Sequence, residues 1–141
     1  MKVQDRFLKY VSYWTTSDEN GTVNPTSERE WVLGKELAKE LEDMGLQQVM
    51  LSKQCYVYGL LPATEGMETV KPIGFIAHMD TAPDFSGENV KPQIIENYDG
   101  QDILLSGSQT YLKTSEFLDL KGQIGRTLIT TDGTTLLGAD D

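Results

Sequence analysis

Val3, Phe7, Leu8, Val11 and Trp14 recur at helical spacing and predict a first amphipathic helix with Phe7 and Trp14 in the core. Residues 15–25 are polar, contain Asn20-Gly21 and Asn24-Pro25, and read as a loop. A second helix opens with a capping box, in which Ser27 accepts from the Glu30 backbone and the Glu30 side chain reaches back to Ser27. Leu33, Leu37, Leu41 and Met44 form its apolar stripe, and Gly45 is placed to end it. The charges at Lys35, Glu36, Lys39, Glu40, Glu42 and Asp43 belong to its solvated face. Strands are predicted over 49–52 and 56–61, the second stopped by Pro62, with a loop over 63–71.

The pattern then changes. Ile73-Gly74-Phe75-Ile76-Ala77 is a short apolar run, as in a strand buried on both faces of a sheet, and it ends abruptly in His78-Met79-Asp80. Residues two apart on a strand share a face, so His78 and Asp80 can point the same way. A carboxylate can then hold one imidazole nitrogen while the other binds a metal. Ligands in open α/β sheets collect at the carboxyl ends of strands, where this pair is expected. His-X-Asp alone is nevertheless more common as a hydrogen-bonded structural pair than as a metal site.

Further on, 93–96 and 103–105 are predicted to pair as a hairpin around Asp99-Gly100. Residues 106–125 carry no readable period. Residues 127–130 and 134–137 flank Thr131-Asp132-Gly133, which predicts a second hairpin delivering Gly138-Ala139-Asp140-Asp141. Helices first and strands after, around one central buried strand, predict an α/β class with a mixed sheet flanked by helices.

Composition narrows the function classes. With 141 residues, 38% hydrophobic and 24% charged, the chain is long enough to bury a core and too apolar to be disordered. A formal net charge of -10 argues against nucleic acid and anionic membrane as partners, since both need a basic face. Cys55 is the sole cysteine, so no internal disulfide is expected. With neither a signal-peptide core at the start nor a run of roughly 20 apolar residues, the expected location is cytoplasmic.

Asp140 and Asp141 follow an apolar stretch and two small residues, a setting in which a carboxylate can ligate one metal or bridge two. An Asp-Asp pair taken alone is usually solvated charge. Together with His78 and Asp80, it suggests two polar tips converging on one cation.

At this point the residues resemble a known family. The segments 6–12 (Arg-Phe-Leu-Lys-Tyr-Val-Ser), 41–46, 74–81, 89–98 and 127–141 are similar, in order and spacing, to peptidase T, a family of tripeptide aminopeptidases in the two-zinc exopeptidase clan. The similarity implies that residues 1–141 are the amino-terminal portion of that catalytic domain, without its remainder or its lid and dimerisation domain. It implies His78 as ligand to one zinc, Asp80 as the catalytic-site carboxylate orienting His78, and Asp140 as bridge between two zinc ions roughly 3.5–4 Å apart. It also implies short peptides, tripeptides above all, as substrate; members of the family often form dimers through the lid domain, and the sequence leaves the oligomeric state open.

The family further needs a glutamate base, another glutamate and an aspartate as ligands, and a second histidine. This chain has one histidine and no Glu-Glu pair. It is therefore expected to be inactive alone and to bind zinc weakly. The competing readings are another two-zinc dipeptidase, carboxypeptidase or deacylase of the clan, or a truncated, non-catalytic product.

Overall fold

A computed structural model describes residues 2–138 of the chain. It is a small α/β structure whose chain divides into two compact units, 15–83 and 2–14 with 84–138.

The first of these units is built on helix α2 (Glu30–Asp43) and an antiparallel pair, β1 (Gln47–Leu51) and β2 (Val57–Leu60). The helix stops as its sequence requires. Gly45 adopts φ +84, its N–H donates to Glu42 O, and Leu46 N–H donates to Leu41 O, which together form a Schellman cap. At the other end the capping box is half formed. Ser27 N–H donates to Glu30 Oε1 at 3.2 Å, but the Ser27 hydroxyl accepts from Arg29 Nε at 2.7 Å instead of from the Glu30 backbone. The guanidinium is the stronger donor, and Glu30 N–H is already taken by the Ser27 carbonyl.

Leu33 and Gly34 are buried, while Met44, expected on the same stripe, is exposed. Gly34 admits Cys55 against the helix. A Cβ there would lie 2.8 Å from Cys55 Sγ and 3.4 Å from Leu51 Cδ1. Cys55 is 1% exposed, and burial, followed by the charge of Glu30, pushes its thiol pKa up.

In the other unit, helix α1 (Val3–Tyr10) buries none of its own residues. Val11, just past it, is buried, whereas Trp14 lies on the surface and Phe7 is half-buried, so the expected aromatic core face is not formed. Two antiparallel pairs follow. Strand β3 (Pro92–Ile95) pairs with β6 (Leu128–Thr131), and β4 (Ile103–Leu105) pairs with β5 (Thr110–Leu112). Tyr98, Ile103 and Leu105 form the core, joined by Ile95, Leu112, Leu120 and Leu128. Residues 106–125, unreadable in sequence, supply β5 and a turn of 3-10 helix (Leu118–Gln123).

Both predicted hairpins are corrected. The chain does turn at Asp99-Gly100, where Asp99 Oδ1 accepts from Gln101 N–H. Buried Tyr98, however, is bonded to the far strand connection: its N–H donates to Arg126 O, and its carbonyl accepts from Gly125 N–H. That contact carries β3 to β6 and leaves β4 for β5. After β6, Asp132 spends its side chain on Thr134, and Leu136 N–H donates to Ser86 O, so 134–137 do not return along β6.

The mixed sheet is also corrected. Among the described residues there are three two-stranded antiparallel pairs, and the run expected at their centre is not a strand. Ile73, Phe75 and Ile76 are 81%, 95% and 98% exposed. A strand apolar on both sides is held by ladders on both edges, and here neither edge is occupied by a described residue.

Candidate metal centre

The tip His78-Met79-Asp80-Thr81 is positioned by a short stretch from early in its own unit, not by a sheet. Thr16 and Thr81 form an isolated parallel bridge. Ser17 N–H donates to Thr81 O at 3.0 Å, and Thr81 N–H donates to Thr15 O at 3.1 Å. The Thr16 and Thr81 hydroxyls lie 3.2 Å apart, and Arg29 donates to Thr16 O at 3.1 Å. Thr15 is buried, which roots the stretch.

On this support the two predicted residues do meet. His78 Nδ1 lies 3.2 Å from Asp80 Oδ1, with both side chains about half-exposed. The other carboxylate oxygen, Oδ2, accepts from the Ser17 hydroxyl. The Ser17 hydrogen bond holds the Asp80 carboxyl below its usual range, opposed by burial and assisted by His78. Glu30 is shifted the other way, raised by burial first and then by the Asp80 charge, even though Ser27 N–H lowers it.

An imidazole engaged through Nδ1 by a carboxylate presents Nε2 to a cation and is made more basic, which is the orientation zinc-binding histidines use. The donor chemistry therefore fits one ligand of a zinc site. The described residues do not by themselves complete such a site, since no three His, Cys, Asp or Glu side chains among them converge. Asp140 and its neighbour Asp141, the other half of the expected constellation, lie outside the described residues.

Ser17 escaped the sequence reading because residues 15–25 carry only loop signals. Its partner is 63 residues away, and no local pattern announces such a pairing.

No family model matches the chain. Among curated proteins it is 57% identical over 141 residues to "Peptidase T" of Caldanaerobacter subterraneus subsp. tengcongensis, covering 99% of this chain and 34% of that one. It is 54% identical over 140 residues to "Peptidase T" of Clostridium novyi, with the same coverage. To "Peptidase T" of Alkaliphilus oremlandii it is 50% identical over 138 residues, 96% of this chain and 34% of the relative. The chain thus spans about a third of the length of the curated relatives it matches.

Proposed function

We propose that this chain, a homologue of peptidase T along nearly all of its own length, carries part of the metal site of a zinc-dependent aminopeptidase that removes the first residue from tripeptides. The observation that supports the reading best is the Nδ1-engaged His78, held by Asp80 at the tip of an apolar segment. In this reading His78 would hold a zinc through Nε2, Asp80 would be the catalytic-site carboxylate that fixes the ring, and Asp140 would supply a further carboxylate to the metal site. When bound, the metal pair would polarise the scissile carbonyl and lower the pKa of a shared water.

The contribution of this chain's own residues is orientation. In this reading Asp80 would keep the proton on Nδ1, so that the ring would meet a cation with its lone pair. The reading also needs a glutamate base and further ligands, which the described residues do not bring together with His78.

The test uses the protein expressed from its complete gene. We expect hydrolysis of tripeptides in preference to dipeptides and acylated amino acids, loss of activity on dialysis against a chelator, and restoration by zinc. His78→Ala is expected to remove activity by at least about 100-fold. Preference for a dipeptide, a carboxy-terminal cleavage or an acyl-amino acid would transfer the protein to another branch of the two-zinc exopeptidases.

A second reading concerns the 141 residues taken alone, and the exposed Ile73, Phe75 and Ile76 favour it. Such a chain would be inactive and would self-associate through that apolar run. Tripeptide turnover by the isolated chain with added zinc, or a monodisperse monomer in light scattering, would exclude this second reading.

A further inference from the structure

We propose that Ser17 is a positioning residue for the candidate metal ligand, acting on His78 through Asp80. The proposal rests on the reading of His78 as a ligand but is carried by a separate observation, the division of the Asp80 carboxylate between two side-chain partners. Oδ2 accepts from the Ser17 hydroxyl, and Oδ1 lies 3.2 Å from His78 Nδ1. A carboxylate on a half-exposed tip rotates about its last bond, and either oxygen can face the ring or the solvent. Pinning one oxygen fixes the plane of the group and aims the other at Nδ1.

The pin is itself rigid. Ser17 sits in the stretch bridged to Thr81 by two backbone hydrogen bonds, and the preceding carbonyl, that of Thr16, accepts from Arg29. These contacts already tether 15–17 to 80–81 without the Ser17 side chain. The hydroxyl is therefore not needed to hold the two stretches together. What it adds is the direction of the carboxylate.

His78 is the sole histidine of the chain, so its imidazole nitrogens can be read directly by nitrogen-15 NMR of the 141-residue protein. In the neutral ring we expect the tautomer with the proton on Nδ1. Ser17→Ala is expected to shift the tautomer ratio about fivefold toward Nε2–H, through loss of one charge-assisted hydrogen bond. Ser17→Thr, which keeps the hydroxyl, should restore the wild-type ratio, and the amide spectrum should show the fold unchanged in both. Should the alanine variant fail to fold, Ser17→Cys, nearly isosteric with a weaker donor, should move the ratio in the same direction.

A wild-type ring protonated mainly on Nε2, or a ratio unmoved by loss of the hydroxyl in a folded variant, would overturn the proposal. In the complete zinc-loaded protein, Ser17→Ala should lower zinc affinity by about 3–10-fold, measured by chelator competition, with recovery in Ser17→Thr. Absence of tripeptide hydrolysis by the wild-type complete protein would remove the peptidase reading and leave the tautomer result standing. An unmoved tautomer would remove the role of Ser17 and leave the peptidase reading standing.

Discussion

Two aspartates in this molecule are held in opposite ways. The side chain of Asp132, 5% exposed, is satisfied locally, Oδ1 accepting from Thr134 N–H at 2.9 Å and from the Thr134 hydroxyl, while its backbone carbonyl accepts from the distant Gly107 and Ser108 N–H. Asp80 is half-exposed, and one of its two side-chain partners comes from far away in sequence. The Asp132 knot closes on itself and serves the fold. The Asp80 carboxylate is shared between the Ser17 hydroxyl and an exposed imidazole, the arrangement that the proposed role of His78 would use.

The largest effect that would sharpen this contrast is steric. A Cβ on Gly107 would collide with the Asp132 carboxylate and come within 2.8 Å of Thr134 Cγ2, so Gly107→Ala should lose about 3 kcal/mol in denaturant unfolding while leaving zinc binding by the complete protein unchanged. A smaller cost is expected at Gly34, whose added methyl would meet the Cys55 sulfur, and Gly34→Ala should lose about 1–2 kcal/mol.

The two acids themselves should then dissociate cleanly. Asp132→Ala should lower the melting temperature by several degrees with little change in zinc affinity. Asp80→Ala should barely alter melting yet weaken zinc binding about 10–100-fold in the complete protein. Equal effects of both substitutions on both measurements would break the comparison.

The smallest effects are in pH. Asp132 is held below its usual pKa, chiefly by the Thr134 hydroxyl and N–H, so the unfolded chain binds its proton more readily than the folded one. Its contribution is present above the unfolded carboxylate pKa, about 3.9, and is lost as pH falls through the folded value. Glu30 has the reverse sign. Raised mainly by burial, it contributes most below its unfolded pKa and loses that contribution as pH rises through the folded value. Unfolding midpoints followed across the acid range should flatten at the low end in Asp132→Asn and at the upper end in Glu30→Gln.

Sequence reading succeeded where the determining contacts are close along the chain. The Gly45 terminator, the reach of Glu30 to Ser27 N–H, the strands now seen as β1 and β2, and the His78–Asp80 pairing all span a few residues. It failed where partners compete at a distance. Strands β3 and β4 were both expected, but their hairpin was not made, because Tyr98 ties its end of the chain to 125–126. The Asp132 turn was legible as a turn, yet not the loss of the return strand to Leu136 and Ser86. The apolar run 73–77 has the composition of a central strand, but composition specifies a preference for neighbours and does not supply them. The candidate site was half legible for the same reason, since a carboxylate two residues from a histidine can be guessed and a serine hydroxyl 63 residues away cannot.

The sulfur beneath Gly34 gives the chain a built-in stopwatch. Being solitary, sealed and held in its protonated form by burial, it should ignore alkylating reagents until helix α2 lifts from the strand pair. The rate at which one equivalent of label is taken up therefore times the opening of helix α2 over Cys55.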